Sequence, residues 1–271
     1  GIGSNELVVD VLLAKYELHL PLYREELQIE RESGIELSRQ TMSDWVMQAG
    51  SLLESLVKEQ RRDLLQGGYI QADETPVGVQ SSETRNRNHR GYLWQYSRPY
   101  GPVIFDYQDG RSREGPQKML QGYRGLLQSD GYQVYQILGI NGIVHACCWA
   151  HVRRDFVDAA RVYKSDVSLA QIIEKISELY TIEARAREAG LSHEERKTLR
   201  QQESVSIVAQ LRERILALRK GVLPKSLQAK ACEYALKLWP QLETFLSHGE
   251  VEIDNNWSEN AIRPVALGRK N

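Results

Sequence analysis

Cysteine is scarce in this chain: three residues in 271, Cys147, Cys148 and Cys232, with two adjacent and no Cys-x-x-Cys pair. That excludes a disulfide framework or a zinc ribbon and suits a reducing cytoplasm. Net charge is nearly absent as well, −1 from 35 basic and 36 acidic residues. No global positive field announces nucleic acid, so any phosphate-binding surface has to be local. Long apolar runs are missing too. Nothing approaches the roughly 18 residues that cross a bilayer, and Glu6, Asp10, Lys15 and Glu17 interrupt the first turns of chain, so neither a membrane span nor a signal peptide is read. What remains is 41% hydrophobic and 26% charged. That is enough for a substantial core in one large domain with an insertion, or in two domains. The ending at Gly268-Arg-Lys-Asn271, without a closing element, reads as a fragment.

Apolar spacing predicts helices over 7–19, ended by Pro21, over about 22–32, and from an N-cap at Ser38 onward, continuing over 51–66 until Gly67-Gly68. Helix, Gly34 turn, helix is the helix-turn-helix pattern, with Arg39, Gln40 and Ser43 on the reading helix. The same pattern describes a small helical lobe packed on its neighbour. Strands follow. The first runs over 69–73 and ends by presenting Asp73 where the chain turns, with 77–80 continuing it beyond a break at Pro76. Others are read at 91–97 and 102–107, at Leu126-Leu127 leading into Asp130, and at 143–149, with helices over 112–123 and 132–138. The order β-β-β-α-β-α-β predicts an α/β mixed sheet with helices on it. From Val152 to His248 the pattern is helical. Ser192-x-x-Glu195 is a capping box that opens a long helix carrying Val205 to Leu218. The organisation read from this is an N-terminal helical region 1–66, a core 67–154, a helical insertion 155–248, and a last part of the core, 249–271.

Three stretches carry the candidate chemistry: Tyr69 to Pro76 with Asp73, Gly125 to Tyr132 with Asp130, and Asp254 to Pro264 with Glu259. Breaking a phosphodiester needs an activated oxygen nucleophile and a stabilised leaving oxygen, which two divalent ions can supply. Magnesium is hard and keeps several waters, so a few carboxylates suffice. Carboxylates at one level of neighbouring parallel strands lie about 5 Å apart, close enough to share an ion. Plainer readings stand beside this one. Asp73 could cap a turn and Glu74 be the working acid, Asp130-Gly131 could be a turn pair, and Asn256-x-x-Glu259 could be a capping box. Asp106, Asp109, Asp155 and Asp254 are rival ligands.

Ala72-Asp-Glu-Thr75, Ser129-Asp-Gly-Tyr132 and Asn255-Asn-x-x-Glu-Asn-x-x-Arg-Pro264 closely resemble the DDE transposases of the IS66 insertion-sequence family. So do Lys15-Tyr-x-x-His-Leu-Pro-Leu-Tyr23, Cys148-Trp-Ala-His-x-Arg-Arg154 and the terminal Gly-Arg-Lys-Asn. The likeness covers nearly the whole chain. It implies a ribonuclease-H-like five-stranded core of strand order 3-2-1-4-5, preceded by the helical region and interrupted by the all-helical insertion. It implies Asp73, Asp130 and Glu259 as catalytic and metal-holding acids, Mg2+ as cofactor with Mn2+ as substitute, and metal-dependent cleavage and transfer of DNA strands. The partners it implies are transposon ends, target DNA and further copies in a DNA complex, in the bacterial cytoplasm at the nucleoid. Full-length relatives also begin with a zinc-binding region and a coiled coil. Two other functions remain in play: a ribonuclease-H-like nuclease that does not join, and a truncated DNA-binding regulator of transposition.

Auxiliary candidates surround the acids. His151 either approaches the scissile phosphate, with Cys148 bracing the fold, or the pair is a buried thiol and a hydrogen-bonded ring. Arg263 shares a helix face with Glu259, and Asn256 could order water there. Arg153 and Arg154 are phosphate contacts or solvated surface. Arg85, Arg87, His89 and Arg90 form a polar loop that is expected to reach the DNA backbone.

Overall fold

The computed structural model describes residues 3–80, 88–138 and 140–268. Helices α1 (Asn5–Tyr16), α2 (Leu22–Ser33) and α3 (Arg39–Gln66) come first, then strands β1 (Tyr69–Gln80), β2 (Asn88–Ser97) and β3 (Val103–Gln108). Next are α4 (Glu114–Met119), β4 (Gly125–Ser129), α5 (Gln133–Gln136) and β5 (Ile143–Cys147). A helical run follows: α6 (Trp149–Val162), α7 (Val167–Glu188), α8 (His193–Leu199), a π-helical turn at Arg200–Ser204, α9 (Val205–Gly221), α10 (Leu227–Lys237) and α11 (Trp239–Ser247). The last helix is α12 (Asn256–Gly268). The strands form one mixed sheet in the order β3-β2-β1-β4-β5, the order the resemblance implies. The chain divides into two compact units. The first comprises the described residues of Gly1–Gln66, Asp73–Arg111 and Ser258–Asn271, and the second Gly67–Ala72 and Ser112–Trp257.

In the first unit Ser4 caps α1 by accepting the Leu7 N–H at 3.3 Å. α1 stops at Tyr16, short of the expected 19, because the chain turns through His19 in a left-handed conformation (φ 55°) before Pro21. Gly34, at φ 71°, closes α2 in the left-handed cap that only glycine adopts without strain. Val11, Leu37 and Met42 are the buried centre of this helical lobe, with Ile29, Trp45 and Val46 packed around them. β2 and β3 are antiparallel, in register from Tyr92↔Gln108 to Ser97↔Val103. β1 corrects the expectation of a break. It runs unbroken through Pro76 to Gln80, so Asp73 sits inside the strand and not at a turn. Pairing of β1 with β4 ends at Gln71↔Gln128, so no β4 carbonyl goes wanting for the N–H that Pro76 lacks. β2 likewise begins at Asn88, which places His89 and Arg90 in a strand where a loop was expected.

The second unit is built on parallel pairing. Tyr69, Ile70 and Gln71 of β1 lie opposite Leu126, Leu127 and Gln128 of β4, and β4 continues the ladder from Gly125↔Ile143 to Ser129↔Cys147 of β5. Helices cover these strands, so Ile70, Ala72 and Leu127 are fully buried. The helical run shares one core with the strands, from Tyr69 and Leu126 through Phe156 and Ile176 to Leu211 and Phe245. Trp149, with no exposed surface, packs edge-on against Trp239 (5.8 Å) and Phe245 (6.4 Å) and donates its indole N–H to the Leu242 carbonyl at 3.0 Å. The expected capping box forms at Ser192 and Glu195. The helix it opens is not regular, since it widens into the π-turn at Arg200 before α9. The helix expected over 112–123 is shorter, ending before Gly122 at φ 81°. The segment over Ala231 to Leu242 splits at Leu238, where Pro240 falls in the first turn of α11.

Candidate active site

Successive side chains of a strand point to opposite faces, and β1 uses this to separate its two acids. Asp73 is half-buried, and its Oδ1 accepts the Glu74 N–H at 2.9 Å. The Glu74 side chain is 3% exposed and forms an ion pair with Arg111, which donates from Nε at 2.9 Å and again from Nη2. Arg111 in turn lies 5.9 Å from the centre of the Tyr92 ring. Glu74 is therefore committed to a structural pair. In the same unit Glu259 is half-buried in the first turn of α12, Ser258 is fully buried with its hydroxyl bonded to Gln95, and Arg263 is exposed one turn on.

Asp130 directly follows β4. Its Oδ1 accepts the Tyr132 N–H at 2.8 Å, and its carbonyl accepts from the Tyr234 hydroxyl. Gly131 holds φ 89°, and a Cβ there would come within 2.4 Å of Leu238 Cδ1, so this turn requires glycine. Burial, reinforced by the charge of Asp130, pushes the Cys147 thiol up to about 12. Burial likewise lifts the Tyr234 hydroxyl above its ordinary value, with Asp130 adding to it. Both groups stay protonated at neutral pH. Cys148 is buried at the N-cap of α6, and His151 is half-buried in the first turn of that helix. Burial raises the Asp155 carboxyl one turn further on, while His151 pulls it the other way.

A hydrogen-bonded cluster that the sequence did not disclose ties these pieces together within the second unit. Gln71 and Gln128, opposite one another in the ladder, are fully buried and bonded, Nε2 to Oε1, at 2.9 Å. The Tyr69 hydroxyl donates to the same Oε1 at 2.5 Å and accepts from Gln71 at 2.9 Å and from the Glu252 N–H at 3.1 Å. Gln71 also donates to the Asp254 carbonyl at 3.1 Å, and Gln128 to the Glu252 carbonyl at 2.8 Å. The Trp149 N–H adds a bond to the Ile253 carbonyl at 3.1 Å. The segment that leads into α12 is thus fastened to β1 and β4. The opening of α12 is made by Asp254, whose carboxylate accepts the Asn256 backbone N–H at 3.1 Å and its amide at 2.9 Å. Burial raises the Asp254 carboxyl, opposed by the Asn256 N–H and the neighbouring Tyr180 hydroxyl. Asn255 beside it is fully buried, and neither atom of its amide has a partner among the described residues.

The remaining candidates are scattered. Arg39 pairs with Glu26 at 2.9 Å and Gln40 donates to Asp44 at 2.9 Å, both on the exposed side of the helical lobe. Arg85 and Arg87 lie outside the described residues. Arg90 is exposed at the start of β2, and the His89 ring meets the Asp109 carbonyl at 2.5 Å. The Asp106 carboxylate accepts from Gln108 and that of Asp109 from Tyr107, which leaves them engaged on β3 and its turn. Arg153 and Arg154 are exposed on α6.

A family model described as the IS66 family of transposases matches residues 1–271. Uncharacterized protein y4qI of Sinorhizobium fredii is 35% identical over 287 residues, an alignment that takes in 100% of this chain and 52% of that protein. Uncharacterized protein y4jD of the same organism is 32% identical over 286 residues, covering 100% of this chain and 55% of its own. The chain spans about half the length of the curated relatives it matches. No helix among the described residues is long and apolar enough to cross a membrane.

Proposed function

Since the chain belongs to the IS66 family of transposases, we propose that it forms the catalytic region of a DDE transposase, with Asp73, Asp130 and Glu259 as its three acids on a ribonuclease-H-like core. The observation that carries this reading is the register of β1 and β4. Gln71 lies opposite Gln128; β1 carries Asp73 two residues on, on the face of Gln71, and Asp130 comes two residues after Gln128, just past the end of β4. The same glutamines hold the carbonyls of Glu252 and Asp254, and Glu259 follows within two helical turns. The glutamine clamp fixes the chain just ahead of Glu259, which supports that residue as the third acid.

The donor set suits a hard divalent cation. Three carboxylates offer only oxygen, which fits Mg2+ or Mn2+ and disfavours zinc. Bound by these acids, such ions would activate a water and stabilise the leaving oxygen at a scissile phosphodiester. The chain's own part is orientation. The Glu74 N–H aims the Asp73 carboxylate and the Tyr132 N–H that of Asp130. The neighbouring Cys147 and Tyr234 remain protonated and do not compete as bases. No side-chain nucleophile is required: water cuts the strand at the transposon end, and the freed 3′-hydroxyl attacks target DNA.

Asp130→Asn tests the assignment, because asparagine keeps an oxygen for the Tyr132 N–H and removes only the charge. Mg2+-dependent cleavage of a DNA substrate should fall at least about 100-fold while the thermal unfolding midpoint stays in place, and chelation of the metal should abolish parent activity. Full activity in Asp130→Asn would refute the assignment.

A further inference from the structure

On the second unit, α6, α7 and the first residue of α12 enclose an open cleft of about 490 Å3, lined by Arg153, Arg154, Arg161, Ser177, Tyr180 and Asn256, with Asp158 at its edge. The volume falls within the roughly 300–1,000 Å3 of ligand sites, and the charge is concentrated. Three guanidiniums face one carboxylate, in a chain whose net charge is −1. Asp158 is taken by Arg161 at 2.7 Å. Arg153 makes no ion pair among the described residues, and it lines the cleft together with Tyr180. A planar guanidinium presents paired N–H donors that match phosphate oxygens. Asn256, its amide held by the Asp254 carboxylate at 2.9 Å, closes the cleft at the start of α12.

We propose that this cleft binds the phosphodiester backbone of a DNA strand, with Arg153 and Arg154 as its principal contacts and the α7 residues Ser177 and Tyr180 as its far wall. The proposal rests on DNA being the substrate, as read above. It gives the helical insertion a part in holding the substrate, since α7 supplies one side of a phosphate track whose other side is α6, with Cys148 at its N-cap and His151 in its first turn. Contacts of this kind position a duplex without reading its sequence, so the cleft serves transposon end and flank alike.

The test measures binding of a short fluorescein-labelled duplex of arbitrary sequence as a function of salt, by anisotropy, for the parent, Arg153→Ala/Arg154→Ala, Arg153→Lys/Arg154→Lys, and a control pair on α9, Arg212→Ala/Lys220→Ala. Each phosphate contact contributes about 0.9 to the slope of log K against log salt. The alanine pair should therefore lose about 1.8 of slope and bind on the order of 10–100-fold more weakly at 0.1 M salt. The lysine pair should keep the slope, and the α9 pair should match the parent. An unchanged slope in Arg153→Ala/Arg154→Ala, or an equal loss in the α9 pair, overturns the proposal. So does a cleft that takes up inorganic phosphate at these arginines while the DNA slope is unmoved, which would mark a free-anion site. Cleavage by the parent is scored separately. Cleavage with an unmoved slope sinks the cleft and spares the catalytic reading, and a lost slope in a protein that never cleaves does the reverse.

Discussion

Replacing Arg200 by methionine should cost this protein more than any surface ion pair would. The guanidinium has no exposed surface, and all five of its N–H donors are used. Nε and Nη2 donate to the two oxygens of Glu183 at 2.7 and 2.8 Å, Nη1 to the carbonyls of Phe245 and His248 at 2.8 and 2.9 Å, and Nη2 also to that of Val251 at 2.8 Å. Methionine fills part of the volume but takes the side-chain donor from the carbonyls of Phe245 and Val251 and half the partners from a buried carboxylate, while the His248 carbonyl keeps the Val251 N–H at 3.1 Å. Breaking a buried pair from one side costs about 3–5 kcal/mol, a large part of the roughly 5–15 kcal/mol that holds a folded protein together. Arg196 keeps its bonds to Glu183 at 2.7 and 2.9 Å, which holds the loss inside that range. At roughly 2–4 °C per kcal/mol the thermal midpoint should drop by roughly 6–20 °C, read by circular dichroism. Glu183→Met/Arg200→Met should lose less than the sum of its single changes, since no buried charge is then left uncompensated. Acid adds a second check. Burial pushes the Glu183 carboxyl up, but Arg200 and Arg196 outweigh it and hold the group below its ordinary value. A depressed carboxyl stabilises the fold above its unfolded value and stops doing so as pH falls through the folded one. The parent should therefore lose stability as pH drops below the usual glutamate range, and Arg200→Met should lose less of it. A midpoint within about 2 °C of the parent, or strictly additive single changes, would refute the reasoning.

Gln71→Leu leaves the Asp254 carbonyl without its side-chain donor and the Gln128 amide oxygen with only the Tyr69 hydroxyl, a loss of about 1–3 kcal/mol by chemical denaturation. It should also reduce DNA cleavage more than DNA binding, and an unchanged denaturation midpoint counts against the clamp. Burial holds Cys147 at about 12 and Cys232 at about 11, so a disulfide reagent at pH 8 should label neither until the protein is unfolded. Rapid labelling of the native protein at either position contradicts the burial described.

Local chemistry was legible along the chain. The Ser192–Glu195 capping box, the glycine after α2 and the stop before Tyr69 all depend on residues within a turn of one another, and all three stand where the pattern puts them. Features that depend on a distant partner were not. Pro76 signalled a break because proline lacks a donor, yet β1 runs on to Gln80, and its ladder with β4 stops at Gln71 before Pro76 is reached. Glu74 and Asp73 looked interchangeable until Arg111, far along the chain, took the first. Gln71 and Gln128 gave no signal at all, because glutamine on a strand is unremarkable until register sets two of them face to face.

The order of helices and strands, the acids at β1 and β4, and the family motifs were decided by the sequence alone, because period, turn chemistry and residue type act over a few neighbouring positions. The register in which the strands pair, which carboxylates are spent on arginines, and which segment is fastened to the sheet ahead of Glu259 were settled only by tertiary structure. Those outcomes depend on hydrogen bonds between groups far apart in the chain, 37 residues for Glu74 and Arg111, 57 for Gln71 and Gln128 and 183 for Gln71 and Asp254. No local pattern encodes them.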